Sequence, residues 1–131
     1  MKYLLDTDTV IFWLNNNENT VNKVAKAGLS NIAISDISRA ELYFGAYNSK
    51  RVRENLQVIH EMSETLCFLS FDEPSQILYV KFKARLKTEG KILDELDLMI
   101  AGIAARFQLT LVTNNTNHFK RIEELNLENW I

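Results

Sequence analysis

Short β-forming runs alternate with amphipathic helical stretches along the whole chain, and this alternation constrains the fold more than any other feature of the sequence. Residues 3–5, 32–35, 66–71 and 109–113 read as strands, rich in Leu, Ile, Phe, Val and Thr, and residues 127–130 read as a last short edge strand. The intervening segments read as helices over 9–14, 21–28, 39–45, 50–64, 73–88 and 94–108, with a helical turn at 118–122. Strands separated by helices call for an α/β sandwich around a mostly parallel sheet of about five short strands, joined by right-handed crossovers. Pro74 is the only proline, and no repeat or linker interrupts the order, so residues 1–131 are expected to form one domain. A chain of this length, 47% hydrophobic, can bury a sizeable core without disulfides.

Composition removes several functional classes. A formal net charge of -2 excludes a strongly basic coat, although local basic patches stay open. Cys67 is the only cysteine, sits in an apolar run, and is expected to be a small buried hydrophobe in a reducing compartment. No stretch approaches the roughly 20 apolar residues of a membrane span, and the N-terminus enters a strand without a signal peptide, so a cytoplasmic protein is expected.

Acidic residues stand where strands end and helices begin. In residues 92–119, Asp94 is a plausible N-cap, followed by Glu95 and Asp97 in the first turn, before Leu96, Ile100, Ile103 and Ala104 recur on an apolar face. That helix leads into the strand at 109–113, which places Thr113 and Asn115 just past a strand's carboxyl end, where ligands of open parallel sheets collect. Asp6 and Asp8 close the first strand; Asp8 suits an N-cap, whereas Asp6 is expected to lie one residue inside the strand end, where no cap is required. Glu41 lies among apolar neighbours on the helix after the second strand, capped by Asp36 or Ser38, and is either a solvated residue or a member of the site. Asp72, two residues before Pro74, reads as a cap, and His60 as a surface residue. The helix after Asp72 is expected to bury Ile77, Leu78, Val80, Phe82 and Leu86, residues 15–20 to form a polar loop, and Trp130 to anchor the C-terminus in the core.

With the first strand central, Asp6, Glu41 and Asp97 can converge on one edge of the sheet. Three carboxylates brought together repel, so the arrangement implies a cation. Oxygen ligands suit Mg²⁺ or Mn²⁺, and with two histidines and one cysteine a zinc site is not expected. Such ions lower the pKa of a water and offset charge at phosphorus, which points to phosphodiester hydrolysis.

The residues that carry this chemistry resemble a known family. LLDTD near the start, SRAELYFGA, DLMIAGIA, LVTNNTNHF and the terminal ENW together resemble the VapC-type toxins of toxin–antitoxin systems, which are PIN-domain ribonucleases. The likeness runs from Tyr3 to Trp130, with the motifs in the expected order. It implies a PIN-like three-layer α/β/α sandwich, RNA cleavage with Mg²⁺ or Mn²⁺, inhibition by a VapB-type antitoxin, and a homodimer. Several such enzymes cut structured RNAs, transfer RNA among them. Position by position, Asp6, Glu41 and Asp97 match the family's acids and Thr113 the polar residue behind them. Asn115 falls where many members have a fourth aspartate. With a neutral residue there, a second metal would be held weakly unless Asp8 or Asp94 contributes or Asn115 coordinates through its carbonyl.

Two other readings compete. A receiver-like signalling domain could use Asp6, Asp8, Asp72 and Thr113, but it leaves Glu41 and Asp97 unexplained, needs a lysine just after the fifth strand, and expects one helix instead of two between the first two strands. A PIN-like interaction module without catalysis is favoured only by the neutral Asn115. Two further features ask for a role. Lys81, Lys83, Arg85, Lys87 and Lys91 form either a solvated face or an anion-binding rim for RNA, and the apolar first helix, Val10 to Leu14, is expected to expose part of its surface to a partner.

Overall fold

The computed structural model describes all 131 residues, Met1–Ile131. Five strands, β1 (Tyr3–Leu5), β2 (Ile32–Ser35), β3 (Cys67–Leu69), β4 (Thr110–Val112) and β5 (Leu127–Glu128), form one sheet in the order β3-β2-β1-β4-β5. Every pairing is parallel, with Leu4 opposite Ala33 on one side and Leu111 on the other. Seven helices surround it: α1 (Thr7–Leu14), α2 (Glu18–Ala27), α3 (Asp36–Tyr47), α4 (Val52–Thr65), α5 (Glu73–Thr88), α6 (Glu95–Arg106) and α7 (Thr116–Phe119). The strand order differs from the 2-1-3-4-5 of receiver-type sheets, which removes the signalling reading. Asp72 agrees with this, because its Oδ1 caps α5 through the Ser75 amide at 3.0 Å and its Oδ2 accepts from Arg106.

Period-two alternation in the strands separates the core into two halves, as a sheet covered on both faces requires. Leu4, Ala33 and Leu111 point into a cluster completed by Phe82 and Leu86 of α5, Leu98, Ile100 and Ile103 of α6, and Phe119. Leu5, Ile34 and Val112 point the other way, onto Val10, Val24, Leu42, Ile59, Met62 and Trp130. The three-layer α/β/α sandwich is therefore present. Trp130 is buried at the C-terminus as expected.

Two packing expectations fail. Cys67 is exposed, because β3 is an edge strand with a neighbour on only one side. Ile77 and Val80 of α5 are exposed as well; the helix meets α6 through Ser75, Leu78, Tyr79, Phe82 and Leu86, and a single face cannot also include those two. The first helix does expose part of its apolar surface, through Ile11, Phe12 and Leu14, while Val10 is buried and Trp13 packs on the core.

Gly102 sets the closeness of the α5–α6 pair. A Cβ there would stand 2.6 Å from the Ser75 backbone oxygen and 3.1 Å from the Tyr79 Cβ. Gly28 ends α2 at φ 86°, a left-handed conformation in which glycine carries no Cβ penalty. Residues 18–20, expected in a loop, belong to α2, whose N-cap Asn17 accepts from the Thr20 amide.

Candidate active site

The central strand pair delivers the first components of the site. The order reverses between β1 and β4, and a crevice forms beyond the carboxyl ends of strands at such a point. Asp6 follows β1 there, and Thr113 follows β4. Asp6 is itself the N-cap of α1: its Oδ1 accepts from the Thr7 amide at 2.8 Å. The sequence pattern assigns the cap to Asp8 and keeps Asp6 inside the strand. In the structure β1 ends at Leu5, the helix begins at Thr7, and Asp8 lies in the first turn with its Oδ1 accepting from the Thr9 amide. A similar displacement occurs at α3, where Ser35 is the cap instead of Asp36 or Ser38. Asp94 caps α6 as expected, accepting from the Leu96 amide.

Asp6 is 4% exposed, and its second oxygen accepts from the Thr113 hydroxyl at 2.8 Å. Thr113 in turn accepts from the Asn115 amide at 3.0 Å, which leaves its single hydroxyl proton directed at the carboxylate. The loop after β4 is thus tied to the loop after β1. A second chain of hydroxyls reaches Glu41. The Thr7 hydroxyl donates to Glu41 Oε1 at 2.6 Å and lies 2.9 Å from the Ser38 hydroxyl, whose own proton must serve that link. Ser38 precedes Glu41 by three residues, one turn along the same face of α3. Glu41 is half-buried and held, not solvated.

Electrostatics show that these groups share one field. Burial, then the Asp8 charge, pushes the Asp6 carboxyl up to about 7, against the opposing hydrogen bonds from Thr113 and Thr7, with Asp97 adding to the rise. Asp97 is pushed up to about 6 by burial, then Asp94, then Glu41, with His118 on α7 favouring its charged form. Asp6, Asp8, Glu41, Asp94 and Asp97 therefore lie within electrostatic reach of one another at this end of the sheet, with His118 beside Asp97. Thr7, Ser38 and His118 do not stand out in the sequence as members of a site. The spacing Ser38-x-x-Glu41 and the hydroxyl between Asp6 and Asp8 are the signals that could have found the first two.

No three of the chain's Asp, Glu, His and Cys side chains converge tightly enough to ligate one ion by themselves. An ion that keeps several waters and binds through one or two carboxylates fits this looser set, and that is the habit of Mg²⁺. The all-oxygen donors suit such hard cations better than zinc. Asn115 is exposed beside the crevice and takes part in it through its backbone amide to Thr113.

The basic run on α5 divides. Lys83 Nζ donates to Glu95 Oε1 at 2.7 Å, beside a short hydrogen bond from Tyr79 to the same carboxylate, and so sits at the start of α6. Arg85 is bound by both oxygens of Glu124, at 2.7 and 3.0 Å. Lys81, Lys87 and Lys91 take part in none of the six ion pairs of the chain. His60 lies at the surface, paired with Glu64 at 3.1 Å. On the opposite side of Glu41, a groove between α1, α3 and α4 is lined by Ile11, Leu14, Leu42, Val58 and Ile59, with Glu41 at its margin. Phe44 and Tyr47 are 72% and 68% exposed on other faces of α3, and Tyr47 lines a separate groove with Tyr43, Val52 and Leu56. No helix is long and apolar enough to cross a membrane.

Known proteins share this architecture over their whole length. The model of the PIN domain matches residues 3–125. The chain is 32% identical over 131 residues to a Haemophilus influenzae protein named Ribonuclease VapC2, covering 100% of this chain and 99% of that one. It is 33% identical over 130 residues to the tRNA(fMet)-specific endonuclease VapC of Salmonella typhimurium, covering 99% and 98%. Among solved structures it resembles the DNA-bound VapBC complex of Salmonella typhimurium, with a TM-score of 0.93, 33% identity and coverage of 100% and 99%. The promoter-DNA complex of VapBC2 from Rickettsia felis gives 0.92, 34% identity and full coverage of both chains. The fold, the crevice at the β1–β4 switch and these full-length likenesses place the chain in the PIN-domain family, among the VapC ribonucleases.

Proposed function

We propose that this chain is a divalent-metal-dependent endoribonuclease, the toxin of a toxin–antitoxin pair, that hydrolyses phosphodiester bonds of structured RNA, with transfer RNA the foremost candidate. The observation that supports the reading is the upward displacement of Asp6 and Asp97 at the carboxyl end of the sheet, by burial first, then by Asp8 on Asp6 and by Asp94 and Glu41 on Asp97. A structural role gives no reason to gather them. Strongly shifted groups in a cleft mark functional sites.

Asp6, Glu41 and Asp97 would hold Mg²⁺ or Mn²⁺, with Asp8 and Asp94 near enough to carry outer waters. When bound, the ion supplies a water of lowered pKa and offsets charge at the transferring phosphorus. The Thr7 amide and the Thr113 hydroxyl hold the two oxygens of Asp6, and the Thr7 hydroxyl holds one oxygen of Glu41, so the direction of each carboxylate is set. His118 stands beside Asp97 and favours its charged form. The groove between α1, α3 and α4 suits an apolar segment of a VapB-type antitoxin, because it ends at Glu41 and its occupant would cover the acids. A homodimer is part of the same proposal.

RNA cleavage by the purified protein in Mg²⁺ and Mn²⁺ tests this reading. Cleavage is expected to vanish with EDTA and to fall by orders of magnitude in Asp6→Asn, Glu41→Gln and Asp97→Asn, since each loses charge stabilisation made at the transferring phosphorus. A Glu41→Gln protein that cuts at the wild-type rate would return Glu41 to a packing role.

A further inference from the structure

The groove beside α7 combines three features that neither folding nor the acid cluster explains. It is shallow, with a volume of about 550 Å³, and is lined by Gly90, Lys91, Ile92, Lys120 and Arg121. Lys91, Lys120 and Arg121 take part in none of the chain's six ion pairs, although acidic residues outnumber basic ones by 17 to 15. Ile92 is 72% exposed in the middle of these cations, where an apolar side chain gains nothing from folding. The groove is also built: Arg121 Nη1 donates to the Ile92 carbonyl at 2.8 Å, and Gly90, at φ 70°, turns the chain so that the Lys91 amide bonds Leu86 O at 2.8 Å.

Its position matters most. Lys91 and Ile92 come immediately before Leu93 and the α6 cap Asp94, while Lys120 and Arg121 come immediately after α7, which carries His118. Both arms of the groove are thus direct continuations of the two segments that bound the acid crevice on the α6 side. An RNA strand crossing Asp97 would leave the crevice over this groove. Its next phosphates would meet Lys91 and Lys120, and an unstacked base could rest on Ile92.

We infer that the Lys91–Ile92–Lys120–Arg121 groove binds the RNA strand next to the cleaved bond, two phosphates on the lysines and a base on Ile92. This rests on the ribonuclease reading and adds the direction in which the substrate lies. It also separates these residues from the α5 run, whose Lys83 and Arg85 are already paired.

The test compares wild type, Lys91→Gln/Lys120→Gln and, as a charge-matched control, Lys23→Gln/Lys26→Gln, two α2 lysines that line a separate pocket with Lys2 and Trp130. Arg121 is left intact because it holds the loop. All three are assayed in Mn²⁺ on a long single-stranded RNA at several salt concentrations and on the same RNA trimmed to a few nucleotides around the cut. The groove variant is expected to raise KM about tenfold on the long RNA with kcat within about twofold. Its salt slope should become shallower by about 1.4, since each phosphate of a single strand that a lysine neutralises accounts for about 0.7. On the trimmed RNA it should match wild type, and the control should match wild type throughout. An Ile92→Ser variant with raised KM and unchanged salt slope would support the base stacking on Ile92. Equal KM and slope for the groove variant and wild type, or an equal defect in the control, would overturn the inference alone. Wild type that cuts no RNA in either metal would overturn the ribonuclease reading and this inference together.

Discussion

The two ends of α6 do opposite things, and the contrast separates what folds this protein from what makes it react. Over its middle and C-terminal turns, Leu98, Ile100, Ala101, Ile103 and Ala104 are buried against α5 and the sheet, Gly102 lets the Ser75 backbone approach, and no polar side chain lies buried without a partner. At its first turn the same helix brings Asp97 towards Asp6, Asp8 and Glu41, where Asp8 and Asp97 raise the cost of ionising Asp6, and Asp94, Glu41 and Asp8 that of ionising Asp97. One helix N-terminus offers a modest compensating field, of the order of 0.3–1 kcal/mol. That is too little to offset burial and several like charges. The apolar end stabilises the fold and the acidic end draws on that stability, which a bound cation would return.

The largest expected effect concerns pH. In the folded protein Asp6 keeps its proton up to about pH 7, whereas in the unfolded chain it loses it near 3.8. Between those values the folded state binds more protons, so stability rises as the pH falls. Asp97, raised to about 6, adds to this over a narrower window. The metal-free protein should therefore melt at a higher temperature at pH 5 than at pH 8, by an amount on the order of a few kcal/mol. Asp6→Asn should flatten most of the dependence, and saturating Mg²⁺ should remove it by competing with the protons. A metal-free melting temperature that rises from pH 5 to pH 8 would mean the acids do not repel and the contrast between the two ends is void.

A second intervention attacks the apolar end. In Gly102→Ala, the helix propensity of alanine favours the variant by about 1 kcal/mol. Overpacking opposes it by about 1–3 kcal/mol. The obstructing atom is a backbone carbonyl oxygen, which cannot rotate aside as a side chain would, so the overpacking should prevail. The variant should be less stable than wild type, by up to about 2 kcal/mol in denaturant titration. Its metal affinity should be unchanged if the two ends of α6 are independent. A loss of metal affinity together with stability would show that the α5–α6 spacing also positions Asp97.

How much of this was legible depends on what kind of information each residue carries. The strands and the three acids stood out because their residue types conflict with their surroundings: Glu41 and Asp97 are charged within apolar helices, and such a conflict has few structural explanations. Thr7 and Ser38 gave no such signal, since hydroxyl residues are common at helix starts for local reasons. Cap positions slip by one to three residues, at Asp6 and Ser35, because Asp, Ser and Thr cluster there and any of them could serve. Cys67, Ile77 and Val80 were misplaced for another reason. Their burial depends on which strand lies at the edge and which face of α5 meets α6, and those are facts about distant parts of the chain.

The smallest effect is the sharpest, because it changes sign. Asp97 is half-buried and its charge is opposed by burial, Asp94, Glu41 and Asp8, with only His118 favouring it. The extended chain escapes most of that repulsion, so Asp97→Asn should make the metal-free protein more stable at neutral pH by about 1 kcal/mol. Metal should reverse the order. At a free Mg²⁺ concentration about ten times its dissociation constant, wild type gains RT ln 11, about 1.4 kcal/mol, while the variant with a damaged site gains much less. Thermal melts of both proteins in EDTA and across a Mg²⁺ titration would then cross. If instead Asp97→Asn is the less stable protein in EDTA and gains as much from metal as wild type, Asp97 acts as a helix-start residue favoured by the α6 dipole and the ion binds without it.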